Sequence, residues 1–181
     1  AYALYDIGLV AQANEIMKEV YEIANNTATA KIFPGVPSYF DNQNKGAYAY
    51  LTGSSSWYLL TLITQVFGVK GVFGDLHLEP KLSKEYFNKE GVAHISTNYG
   101  GYAIDVTYKN DKGLDYGEYG IGDVTINGHK VKGKRGKKNA SITLDNFKEL
   151  FNNTNTSRGT WNHLNYAFSS QCSKVILSGI G

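Results

Sequence analysis

The hydrophobic period of this chain changes once, near residue 70, and that change limits the folds open to it. Before it, apolar residues recur at intervals of three and four; after it, they alternate with polar ones between glycines and tyrosines. The first spacing belongs to helices and the second to half-buried strands. A helical segment over 1–70 and a sheet domain over 72–181 are therefore expected, an α+β fold. At 181 residues, a domain of ordinary size with its own core is expected without a metal or disulfide staple.

Over residues 2–24 one apolar stripe can be drawn through Tyr2, Tyr5, Leu9, Ala13, Ile16, Val20 and Ile23, with Glu15, Lys18, Glu19 and Glu22 on the wet face. Asn25, Asn26 and Thr27 end it. A connector with Pro34, Pro37 and the Asp41-Asn42-Gln43-Asn44 turn cluster leads into the most apolar stretch of the chain. There Trp57, Tyr58, Leu59, Leu60, Leu62, Ile63, Val66 and Phe67 surround a helix on all sides, the pattern of a helix buried in a larger protein. Gly68 reads as the left-handed residue that stops it, followed by hydrophobic Val69.

Beyond Asp75 the period is two. Leu76 and Leu78 alternate with His77 and Glu79, and Tyr102, Ile104, Val106 and Tyr108 alternate with Ala103, Asp105 and Thr107. The latter run reads as a half-buried strand. Further strands are expected at 92–97, 142–144 and 175–177, and Asn127-Gly128 marks a two-residue hairpin after Val124 and Ile126. The sequence DNFKELF, 145–151, reads as one short helix. Several short strands separated by turns suggest an antiparallel sandwich.

Composition excludes some functions. Lys and Arg number 18 against 16 Asp and Glu, a net charge of +2 that demands no polyanionic partner. The single cysteine, Cys172, rules out an internal disulfide, and no run approaches a membrane span. Ala1 stands where an initiator methionine would, so the chain is expected to be a fragment of a longer polypeptide.

The strongest site candidate is Thr52-Gly53-Ser54-Ser55-Ser56 at the start of the apolar helix. The first amides of a helix lack backbone partners and carry partial positive charge. Gly53 permits close approach, and the hydroxyls of Thr52, Ser54, Ser55 and Ser56 add donors, which suits an anion such as phosphate. The plain alternative is that Thr52 or Ser54 simply caps the helix. No lysine follows as a P-loop requires.

YLTGSSSWYLLTLITQVFGVKG followed by GDLHLEPKL resembles the C-terminal part of the inverting glycoside phosphorylases related to cellobiose phosphorylase, glycoside hydrolase family 94. Among them it is most similar to members acting on β-linked gluco-oligosaccharides, such as 1,2-β-oligoglucan phosphorylase. Ser55 and Ser56 depart from the small residues common in the family at those positions. The resemblance implies the last helices of an (α/α)6 barrel followed by a jelly-roll-like antiparallel β-sandwich. It assigns phosphate binding to Thr52, Gly53 and Ser54. It also implies a catalytic aspartate upstream of this chain, so that the isolated chain is inactive. Expected partners are a β-gluco-oligosaccharide, inorganic phosphate as co-substrate, the remainder of the parent polypeptide and a second copy in a homodimer. The expected setting is cytoplasmic, with no cofactor, metal, nucleic acid or membrane.

Other features weigh less. Asp75 and Glu79 flank one strand and could pair as the carboxylates of a hydrolase do, but strand-start and loop roles are the favoured reading. Asp41 lies in the loop ahead of the helix. His77, His94, His129 and His163 show no metal-ligand spacing and read as structural or solvent-facing. The basic run 129–138 is broken by glycines, as a solvated loop is. A second class of reading is a non-catalytic carbohydrate-binding or scaffolding module, whose tyrosines would stack on sugars.

Overall fold

The computed structural model describes residues 1–32, 36–48, 53–131, 134–152 and 162–168, of which 134–135, 152 and 162–168 by backbone alone. Helices and sheets occur together, an α+β protein, in two compact units, one of Ala1–Val66 and one beginning at Phe67. The strand expected at 175–177, and Pro34, Thr52 and Cys172, lie outside the described residues. Among those residues no helix is long and apolar enough to cross a membrane.

The first unit contains α1 (Tyr2–Asp6), α2 (Val10–Asn25), α3 (Thr27–Ala30), β1 (Tyr39–Phe40), β2 (Gly46–Ala47) and α4 (Gly53–Thr61). The single helix expected over 2–24 is two helices. Gly8 takes φ +83° between them, a conformation glycine adopts without a Cβ penalty. That break rotates the phase of everything after it. The buried row of α2 is Val10, Ala13, Asn14, Met17 and Ala24, while Leu9 and Ile16 of the expected stripe are exposed. Buried Asn14 is satisfied across the break, its Oδ1 accepting the Tyr5 hydroxyl at 2.5 Å.

The apolar helix also departs from expectation. Trp57, Leu59 and Leu60 are 58%, 57% and 43% exposed, and only Thr61 of α4 is buried. A helix apolar on every side needs neighbours on every side to be buried, and α4 leaves these three side chains largely uncovered. The Tyr58 hydroxyl donates to the Met17 carbonyl at 3.1 Å, and the Tyr2 ring meets Trp57 edge-on at 5.8 Å. After Thr61 the chain widens into a π-helical turn, Leu62–Val66. Thr61 and Thr64 each bond back to the carbonyl four residues earlier, at 2.7 Å, as hydroxyls do where a helix ladder loosens. The turn carries buried Gln65 to Asp6, 2.7 Å away.

The second unit runs β3 (Val69–Val72), β4 (Asp75–Leu78), β5 (Val92–Tyr99), β6 (Tyr102–Lys109), β7 (Ile121–Ile126), β8 (His129–Lys130), β9 (Lys134–Arg135), β10 (Ala140–Ile142), α5 (Leu144–Asn152) and β11 (Asn162–Phe168). Two sheets form, in the orders β3-β4-β10-β9 and β5-β6-β11-β7-β8. Gly68 has φ +65° and ends the helical segment as expected. The Asn127-Gly128 turn has φ +51° and +83° and joins β7 to β8 as the sequence indicated. The strand read at 142–144 is displaced: β10 ends at Ile142, and Leu144 opens α5. Two groups cap that helix, the Thr143 Oγ1 accepting from Asn146 at 3.4 Å and the Asp75 carboxylate accepting from Leu144 at 3.2 Å.

Two strand expectations need correction. The sheets are not wholly antiparallel, since β11 runs parallel to β6, with Asn162 opposite Ile104 and Leu164 opposite Val106. Parallel neighbours need a crossover rather than a tight turn, and β7 to β10 with α5 lie between these two in the chain. Nor is β6 half-buried: Asp105 and Thr107 are buried along with Ile104, Val106 and Tyr108. It lies one strand inside the sheet edge, between β5 and β11, so its polar row is flanked on both sides.

Leu76 and Leu78 of β4, Ile142 of β10 and Ile104, Val106 and Tyr108 of β6 are core residues. The Tyr99 hydroxyl of β5 donates to the Gly74 carbonyl beside β4 at 2.5 Å, and the Tyr108 hydroxyl to the Phe67 carbonyl. Burial holds the Tyr108 phenol well above its ordinary value, so it stays a donor.

The turn between β3 and β4 carries Phe73 at φ +51°, with its ring fully exposed. A bulky residue in that conformation is strained and here buries nothing. Phe73→Asn is expected to stabilise the chain by roughly 1 kcal/mol, because asparagine tolerates this turn position. A urea midpoint at or below that of the unmodified chain would count against this account.

Candidate functional site

The amino end of α4 is where the sequence places its strongest candidates. Thr52 lies outside the described residues. Gly53 begins the helix, is exposed, and would meet nothing within 4 Å if it carried a Cβ. The next two side chains are engaged. Ser54 donates its hydroxyl to the Ser38 carbonyl at 3.1 Å, and Ser55 donates to the Val36 carbonyl at 3.0 Å. Both hydroxyls thus tie the segment of Val36, Pro37 and Ser38 to the helix start. The first amides of a helix have no partner within the helix itself, whereas the Ser54 proton is already in use.

Beside this helix end lies a cavity of about 350 Å³ wholly within the first unit. Its walls include Tyr2, Tyr39, Phe40, Trp57 and Tyr58, with Ser54 at its polar margin. Among the described residues no Asp, Glu, Lys, Arg or His side chain lines it. A cavity of this size falls in the range of small-ligand sites. Aromatic faces with scattered hydroxyls suit a neutral ring whose one face is apolar and whose rim carries hydroxyl groups. Sequence reasoning missed this cavity, because its rings come from α1, β1 and α4, three segments far apart in the chain. The only signal was the abundance of tyrosine, 14 residues, which does not say where they gather.

The remaining candidates separate. Asp41 accepts the amides of Gln43 and Lys45 at 2.8 and 2.9 Å and closes its own turn. Asp75 caps α5. Glu79 pairs with Lys70 at 3.1 Å and lies 3.8 Å from His77, so the two carboxylates serve different partners. Burial, then the neighbouring Lys70, holds His77 below its ordinary value, with Glu79 pulling the other way. In the basic run, Lys130 pairs with Asp123 at 3.1 Å and the Lys138 ammonium sits 5.2 Å from the centre of the Tyr116 ring. Each is a local contact on the surface of the second unit.

Comparison with protein-family models and with characterised proteins finds no match to this chain.

Proposed function

We propose that this chain is the C-terminal part of a cytoplasmic, carbohydrate-active phosphorylase, the reading its sequence resemblance implies. In this reading α1 to α4 are the last helices of an (α/α)6 barrel, and the two sheets make a jelly-roll-like β-sandwich. The observation that supports it most is the exposed start of α4 at Gly53 beside an aromatic-walled cavity that Ser54 also lines. Inorganic phosphate would lie against the α4 amides and a pyranose of a β-linked gluco-oligosaccharide against the rings.

The reaction is a single displacement. A phosphate oxygen forms a bond to the anomeric carbon, the glycosidic oxygen leaves with that bond's electron pair, and an acid from the parent polypeptide protonates it. The product is an α-sugar 1-phosphate. Positioning and charge stabilisation are what this chain contributes. A helix end alone supplies only about 0.3–1 kcal/mol toward an exposed anion, so donors from the remaining polypeptide complete the site.

In the complete protein, Thr52→Ala and Gly53→Ala are each expected to raise the apparent KM for phosphate about tenfold, a loss of roughly 1.4 kcal/mol of binding. Gly53→Ala is the cleaner variant, since a Cβ there meets nothing within 4 Å. Release of free sugar at the same rate with and without phosphate would contradict the reading. The aromatic-walled cavity also suits a non-catalytic sugar-binding module. Calorimetry separates the two, because oligosaccharide binding that is tight, phosphate-independent and unaccompanied by turnover in the complete protein belongs to the module.

A further inference from the structure

We propose that β5 is a docking edge for a second copy of this chain, the two β5 strands pairing antiparallel about a two-fold axis at Ser96. β5 is an edge of its sheet and pairs with β6 along its whole length, Val92 opposite Lys109 through Tyr99 opposite Tyr102, with no bulge. Edge strands are ordinarily short, charged, bulged or covered, because an open edge is a template for another strand. The other sheet edges of this unit follow that rule. β8 and β9 have 2 residues each and carry lysine, and β3 has 4, among them Lys70 and Gly71. β5 has 8 residues and no Lys, Arg, Asp, Glu or Pro.

The turn between β5 and β6 fixes which backbone groups face outward. Gly100 and Gly101 have φ +56° and +85°, a two-residue turn that closes on a hydrogen-bonded pair, here Tyr99 and Tyr102. Backbone groups alternate along a strand, so Ala93, Ile95, Thr97 and Tyr99 face β6, while Val92, His94, Ser96 and Asn98 face away. Val92 is satisfied on that side. The Asn88 amide donates to its carbonyl, and its own amide donates to Asn88 Oδ1, both at 2.9 Å. His94, Ser96 and Asn98 are exposed, and on the open side their N–H and C=O groups meet no strand among the described residues.

Those three residues select the occupant, because the edge complements itself. Antiparallel pairing about Ser96 sets His94 opposite Asn98 of the other copy, Ser96 opposite Ser96, and Asn98 opposite His94. Each is a hydrogen-bonded pair, so every outward group of the three finds a partner. Ile95 then stands opposite Thr97 of the other copy. Both are β-branched and only part-buried in one chain, the residue types that gain from a cross-strand neighbour. No like charges meet anywhere along the pair. Pairing one edge with itself about a two-fold closes at two chains. It is also bounded, by Asn88 on Val92 at one end and the Gly100 turn at the other.

The test is analytical ultracentrifugation of the whole chain over about 10–500 μM, the range of weak, narrow interfaces, with backbone amide exchange followed by NMR. A reversible monomer–dimer equilibrium is expected, and the His94, Ser96 and Asn98 amides should gain protection as dimer forms. His94→Lys with Asn98→Lys sets lysine against lysine across the two-fold and is expected to weaken dimerisation at least about tenfold. His94→Lys with Asn98→Asp sets lysine against aspartate in the same register and is expected to match or tighten the unmodified dimer. Asp105 lies 3.5 Å from His94, and both variants keep a cation there, so that contact does not separate them. A chain monomeric throughout the range overturns the proposal. So does equal dimerisation in the two variants, which places the contact elsewhere. Protection of the three amides that is independent of concentration also overturns it, since the edge is then covered within one chain.

Discussion

Gly68→Ala is expected to cost the second unit about 3 kcal/mol of stability, the sum of a strained backbone and an overlap that cannot relax. Gly68 sits at φ +65°, where an L-residue is penalised. A Cβ there would run into the carbonyl of Glu79 and the nitrogen of Pro80, both main-chain groups. Those two segments are locked face to face, because the Glu79 amide donates to the Gly68 carbonyl at 2.9 Å and continues the β3–β4 ladder. Neither can retreat without disturbing the paired strands. Gly74→Ala is the control. Its φ is +89°, yet nothing lies within 4 Å of a Cβ there, so only the conformational cost remains, roughly 1 kcal/mol. Urea unfolding followed by circular dichroism should separate the two variants by about 2 kcal/mol. Equal losses would mean that the contact with Glu79 does not limit the site.

Gly68 was legible in the sequence because its signal is local: a glycine closing an apolar run, with a hydrophobic residue after it. Asn127-Gly128 and the α5 segment were legible for the same reason. What the sequence hid depends on rotation or pairing. The break at Gly8 is one residue, yet it turned the buried row of α2 from Leu9 and Ile16 to Val10 and Met17. In β6 the alternation is present, but burial of Asp105 and Thr107 follows from neighbours on both sides, which alternation cannot report.

The candidate site divides in the same way. Gly53 and Ser54 stand out as a motif, and the helix start they promise is there. That the Ser54 proton belongs to Ser38 could not be read, because the bond spans sixteen positions and rests on how one loop lies. The aromatic cavity is likewise a product of chain crossing. Motifs name the helix end; only the fold names what stands beside it.

Phe147→Ala is expected to destabilise the second unit by about 3–5 kcal/mol, within the usual range for an emptied aromatic core position. Phe147 is fully buried on α5 and is the centre of an aromatic group. Tyr99 and Tyr102 meet it edge-on at 5.1 and 5.5 Å, and Phe151, one helical turn on, lies at 5.0 Å in a stacked arrangement. Two of these rings come from β5 and β6 of one sheet, while the cap on the same helix comes from Asp75 of the other. Removing the ring therefore loosens a helix that both sheets hold. The cavity cannot close readily, because the Tyr99 hydroxyl is anchored to the Gly74 carbonyl and the α5 backbone to the Asn127 amide group, 3.2 Å from the Leu150 carbonyl. Phe147→Leu keeps most of the volume and should lose no more than about 1.5 kcal/mol. Near-ultraviolet dichroism of the tyrosines and urea midpoints would report both effects. An alanine variant within 1 kcal/mol of the unmodified chain would show that α5 is not what these rings secure.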